Sequence, residues 1–231
     1  MADDTQSPRD PHHGQPILTA GEPLNQALAA MVMVHGRGAS AEDMLLFVDH
    51  LAHMGFAYLA PQAADHSWYP HSFLAPLTDN EPGISSGFAL LTRTLAQITD
   101  AGIPLERTIL LGFSQGACLT LEYAARHAQR YGGVVGWSGG LIGPDDTPRD
   151  YTGSLAGVPI FLGCSDVDPH VPLARVDLSA EVLRRLGGVV TKHIYPKMAH
   201  TVNREEIAFA KAMMAPLLSR EDPPSPFLTP R

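Results

Sequence analysis

Gly112-Phe113-Ser114-Gln115-Gly116 places one serine between two glycines, where the apolar run 107–113 meets a segment of helical pattern. A tight strand-to-helix turn requires small residues two positions either side of its serine, because strand and helix nearly touch there. Such a turn exposes Oγ at a helix N-terminus, where the dipole favours developing negative charge. The hydroxyl remains a weak nucleophile without a base to take its proton and a third group to orient that base. Both follow in the sequence. Asp166 and Asp168 lie in CSDVDPHVP, after the apolar run 158–163, and His200 lies in PKMAHTV, after the run 189–195. Ser, acid, His, each in a loop beyond a later strand, is the chain order this chemistry takes on an open α/β sheet.

Other groups fit those roles less well. His193 falls inside a predicted strand and His170 directly follows the acid loop, so both read as structural histidines. Asp168 is preferred as the acid because Pro169 and Pro172 stiffen the loop around it, whereas Asp166 suits a turn cap. The oxyanion of the tetrahedral intermediate needs backbone donors. One is the N–H of Gln115, after the serine; the other is that of Arg37, where AAMVMV runs into HGRGAS and Gly36 and Gly38 let the chain turn.

The elements that must position these residues are short β-branched or apolar runs at 29–35, 56–61, 107–113, 133–139, 158–163 and 189–195. Continuous apolar runs separated by helices are what strands covered on both faces of a parallel sheet require. Helices are predicted over 40–53, 85–99, 114–129, 177–186 and 202–218, the first with a Ser40 cap and Asp43 three residues on. The expected fold is three-layer α/β, a mostly parallel central sheet with helices on both faces. It forms one domain over 17–220, between a flexible N-terminal tail (1–16) and a flexible proline-rich C-terminal tail (221–231). The connection 62–83 is far longer than the usual 2 to 6 residues or so and carries Trp68, Tyr69, Phe73 and Leu74, so it is expected to line the substrate site.

Composition narrows the function. A formal charge of −8 offers no basic stripe, so nucleic acid and stable membrane association are not expected. The only cysteines, Cys118 and Cys164, are too few for a disulfide framework and read as reduced thiols; with no signal-like N-terminus, a cytoplasmic location is expected. The 11 histidines form no close-set ligand cluster, and neither metal nor cofactor is expected. Met31, Met33 and Met44 read as core, and Arg184/Arg185 and Glu205/Glu206 as solvated helix faces. One rival is a dinucleotide-binding oxidoreductase, since GRGASA (36–41) follows a strand and opens a helix; however, the first acid of the next strand's end, Asp65, comes too late to hold a ribose. A non-catalytic binding protein of the same fold is the other.

VHGRGAS, the WY of the long loop, GFSQGACLTLEYA, WSGGL, DPHVP and YPKMAH, in that order, resemble the phospholipase/carboxylesterase family of α/β-hydrolases, which includes acyl-protein thioesterases and small bacterial esterases. The resemblance implies an α/β-hydrolase fold, nucleophile Ser114, acid Asp168, base His200, and oxyanion donors at Arg37 and Gln115. The expected activity is a carboxylesterase cleaving short- to medium-chain esters through an acyl-enzyme. An acyl thioesterase or lysophospholipase using the same residues is the alternative. The expected partner is a small-molecule ester, and the chain a monomer or homodimer.

Overall fold

The computed structural model describes residues 10–51 and 53–219. Its strands are β1 (Ile17–Gly21), β2 (Ala29–Val34), β3 (Phe56–Pro61), β4 (Thr108–Phe113), β5 (Gly133–Trp137), β6 (Pro159–Ser165) and β7 (Val189–Tyr195). They form one sheet in the order β1-β3-β2-β4-β5-β6-β7, parallel throughout except for β1, which runs antiparallel to β3. Helices α1 (Ala41–Leu45), α2 (Val48–Leu51), α3 (Gly83–Asp100), α4 (Gln115–Arg126), α5 (Leu173–Arg185) and α6 (Arg204–Met214) cover the two faces. This is the three-layer α/β arrangement expected from the sequence.

The wholly apolar strands follow from that burial. Every residue of β2 is buried. Ala30, Val32 and Val34 join Leu90, Leu119 and Val176 of α3, α4 and α5 on one face, while Ala29, Met31 and Met33 join Met44, Ala210 and Met214 of α1 and α6 on the other. A side-chain period of two thus divides one uninterrupted apolar run between two cores. The β2, β4, β6 and β7 C-terminal ends open on one edge, where the loops carrying Arg37, Ser114, Asp168 and His200 lie side by side.

Several elements depart from the sequence expectation. The helix predicted over 40–53 divides into α1 and α2, although Ser40 and Asp43 do form the reciprocal capping box. Strand β1 has no counterpart among the predicted runs, because ILTAG is short, half-buried and without clear alternation. α5 begins at Leu173, earlier than position 177, and Pro172 stands at its cap.

The loose tail expected over 1–16 does not describe residues 10–16. His12 is buried: its Nε2 meets Trp68 O at 3.0 Å, its Nδ1 accepts from Ala64 N–H at 3.1 Å, and its N–H donates to Ser86 Oγ at 2.8 Å. Those bonds select the neutral Nε2–H tautomer, and burial lowers the His12 pKa. Polar composition hid this segment because its anchor is a histidine held by hydrogen bonds. Residues 1–9 and the C-terminal tail 221–231 lie outside the described residues.

Candidate active site

Ser114 joins β4 to α4 with φ 53° and ψ −120°, a backbone region that costs a non-glycine residue about 1–3 kcal/mol. Its N–H donates to Trp137 O at 2.9 Å and its carbonyl accepts from Cys118 N–H at 3.0 Å, so the surroundings hold the turn. The flanking glycines answer to contact. A Cβ on Gly112 would stand 2.7 Å from Ala117 N, and one on Gly116 would meet the carbonyl oxygens of Val34 and His35.

His200 Nε2 lies 2.8 Å from Ser114 Oγ and His200 Nδ1 lies 2.7 Å from Asp168 Oδ2. The Asp168 side chain is fully buried, while His200 keeps 17% of its surface exposed. Asp168 Oδ1 accepts the N–H groups of His170 at 2.8 Å and Val171 at 3.0 Å. Burial alone would raise the Asp168 pKa; the bonds from His200 and from these two amides outweigh it and hold the carboxyl below its usual value. An ionised Asp168 facing Nδ1–H leaves Nε2 free to take the serine proton. Asp166 acts elsewhere. Its Oδ1 accepts from Lys197 N–H at 2.7 Å, tying the acid loop to the loop that carries His200.

The loop after β2 presses against the serine turn, with a Cβ on Gly36 only 3.3 Å from Ser114 Cβ. Among the described residues the backbone N–H groups of Arg37 and Gln115 donate to no protein acceptor, leaving both available to an oxyanion. Sequence reasoning missed what holds this loop. His35, fully buried, donates through Nδ1 to Gly36 O at 2.7 Å and accepts Ala63 N–H on Nε2 at 3.0 Å. Its position directly after a strand, ahead of two glycines, was the available signal. The Gly38 N–H donates to His66 O at 2.7 Å and α1 has five residues, so 36–41 is not built as a phosphate-binding turn leading a long helix, and the dinucleotide reading fails.

The phospholipase/carboxylesterase family model matches residues 17–217. The chain belongs to that family. A solved phospholipase/carboxylesterase from Dyadobacter fermentans is 40% identical with a TM-score of 0.84, covering 88% of this chain and 97% of that one. The acyl-protein thioesterase 1 of Debaryomyces hansenii is 26% identical over 229 residues, 89% of this chain and 98% of its own length. That of Gibberella zeae is 30% identical over 145 residues, 59% of each chain. The Bacillus cereus carboxylesterase shares the fold at 16% identity, with a TM-score of 0.69 over 89% of this chain and 96% of that one. The protein is therefore a hydrolase of the esterase and thioesterase group.

In this member of the phospholipase/carboxylesterase family, Ser114, Gln115, Arg37 and His200 line a cleft of about 590 Å³, together with Tyr69 and Phe73. Two other residues expected to bind substrate do not line it. Trp68 is fully buried, donating Nε1–H to His35 O at 2.8 Å and its backbone N–H to Gln115 Oε1 at 2.9 Å. Leu74 packs against the core. Both depart from expectation because aromatic and apolar residues in a long loop serve anchorage as readily as binding. The Gln115 amide completes the clamp with Nε2–H to Tyr69 O at 2.8 Å.

His170 also differs from its structural reading. It is exposed, lines the cleft, and sits edge-on to His200 with ring centroids 4.8 Å apart. His193 does pair structurally, with Glu205 at 3.0 Å. Cys118, at the cleft wall, and Cys164, beside Asp168, have their thiols pushed up to about 12 by burial, so neither supplies a thiolate nucleophile. Among the described residues no group of three His, Cys, Asp or Glu side chains is arranged to hold a metal ion, and no helix is long and apolar enough to cross a membrane.

Proposed function

We propose that the protein is a carboxylesterase that cleaves short- to medium-chain carboxylic esters through a covalent acyl-Ser114 intermediate. The observation that carries this reading is the continuous chain from Ser114 Oγ through His200 to the buried Asp168 carboxylate, with 2.8 and 2.7 Å links. His200 takes the Ser114 proton as Oγ attacks the ester carbon, then returns it to the departing alcohol. Asp168 holds the imidazole in the required tautomer and stabilises its cation. The N–H groups of Arg37 and Gln115 hold the oxyanion. In the second half of the cycle His200 activates water, which releases the acid and frees Ser114. The cleft volume lies within the roughly 300–1,000 Å³ typical of small-molecule sites.

Acyl thioester hydrolysis by the same residues is the second reading, favoured by the acyl-protein thioesterase 1 relative that the chain matches over 98% of its length. A lysophospholipase activity would use the same steps. A fluorophosphonate probe followed by peptide mass analysis tests the shared nucleophile: the adduct is expected on Ser114 alone. Matched butyryl oxygen and sulfur esters then separate the first two readings by their kcat/KM ratio.

A further inference from the structure

The whole chain is acidic, with 24 Asp and Glu against 16 Lys and Arg. Its cleft is not: Arg37, His71, His170 and His200 line it, and no Asp or Glu does. Asp168, the acid bonded to His200, is sealed behind it with both oxygens bonded.

Arg37 is the permanent cation of this group, and no carboxylate among the described residues pairs with it. Its guanidinium donates instead to neutral oxygens, Ser67 Oγ at 3.1 Å, Pro70 O at 2.8 Å and His71 O at 2.6 Å. It also lies over the Tyr69 ring, 5.9 Å from the centroid. These contacts fix the side chain without cancelling its charge, and they leave two of the five guanidinium N–H donors free. An exposed arginine ordinarily loses side-chain entropy when it binds an anion; this one is already held. The imidazoles of His71 and His170 have no hydrogen-bond partner among the described residues, so two further donors face the same cleft.

We propose that the cleft selects esters bearing a carboxylate or phosphate, held by the free N–H donors of Arg37 with His170 and His71 as further donors. This rests on the hydrolase reading above and names its substrate class. The anion lies on the acyl or on the alcohol side of the scissile bond, and one experiment separates the two.

Mono-p-nitrophenyl adipate is compared with p-nitrophenyl hexanoate for the acyl side, and 1-butanoylglycerol 3-phosphate with 1-butanoylglycerol for the alcohol side. Each kcat/KM is divided by the compound's hydroxide-catalysed rate. The wild type is expected to favour the anionic member of at least one pair by about tenfold or more, as a charge-assisted pair allows. That preference should shrink toward one in Arg37→Gln and fall with added NaCl. Only the ratio is read, because Arg37 also supplies a backbone donor. Turnover of the neutral esters with no anionic preference in either pair overturns the inference and leaves the esterase reading standing. A preference that survives Arg37→Gln overturns the assignment to Arg37. No turnover of any of the four overturns both.

Discussion

Ser114 Oγ stands 2.8 Å from His200 Nε2 although 86 residues separate them in the chain. Two loops from different strands create this contact, and each is tied in place by a bond that takes no part in the chemistry. Trp137 O holds the strained serine turn, and Asp166 holds the start of the His200 loop through Lys197. The geometry at this edge of the sheet therefore depends on backbone bonds as well as on the three side chains.

The two acids are expected to separate cleanly on substitution. Asp168→Asn removes the charge that orients His200 and should lower kcat by about 10⁴-fold with the fold intact. Asp166→Asn weakens only the bond to Lys197 N–H, with a loss of about 1 kcal/mol in stability and less than about tenfold in kcat. Steady-state kinetics with urea unfolding of both variants checks this. Collapse of activity in Asp166→Asn alone would reverse the assignment.

Gly116→Ala is expected to disable the protein for a steric reason. The added methyl would meet the Val34 and His35 carbonyl oxygens, which belong to the end of β2 and the loop directly after it and cannot both retreat. A loss of more than about 3 kcal/mol follows if the turn is forced apart. A Tm within a degree or two of wild type would contradict the close approach.

His12 links stability to pH. Its folded pKa lies below the unfolded value because burial penalises the charged form, so its contribution is present above about pH 6.5 and is lost as pH falls. His12→Ala leaves Trp68 O and Ala64 N–H without partners and should cost about 2–4 kcal/mol at pH 8. The cost should be smaller at pH 5, where protonation of the buried ring already weakens the wild type. Equal costs at both pH values would show that the buried imidazole is not the linked group.

Glu206 titrates in the opposite sense. It was expected on a solvated helix face, yet it is fully buried, with Oε2 accepting Asn203 N–H at 2.8 Å and Oε1 against Gly163 without a partner among the described residues. Burial pushes its pKa up to about 7. Between roughly pH 4.5 and 7 the folded chain keeps a proton that the unfolded chain releases, so stability declines as pH rises through that window. Glu206→Gln keeps the cap and removes the ionisation. It should gain on wild type by on the order of 3 kcal/mol between pH 5 and pH 8.5 in urea unfolding. Parallel stability curves would contradict a buried, ionising carboxyl.

The parts of the molecule legible in the sequence were those written in apolar periodicity and motif order. The central strands β2, β3 and β5 appear as unbroken apolar runs and β4, β6 and β7 as β-branched or largely apolar ones, and Ser114, Asp168 and His200 come in the order their loops adopt. Composition cannot distinguish neighbours such as Glu205 and Glu206, because a single residue step of about 100° around the helix decides which faces the sheet. Nor can it tell Trp68, anchored under His35, from Tyr69 beside it at the cleft, or find His12 in a polar segment whose anchors lie 52 and 56 residues away.

The central claim is tested most directly by hydrolysis of p-nitrophenyl esters from acetate to palmitate, with wild type and Ser114→Ala side by side and both shown folded by circular dichroism. The account predicts wild-type turnover with a maximum at short or medium chains, and a loss of at least about 10⁴-fold in kcat for Ser114→Ala. Comparable turnover by the two proteins, or none by the folded wild type on any chain length, would contradict it.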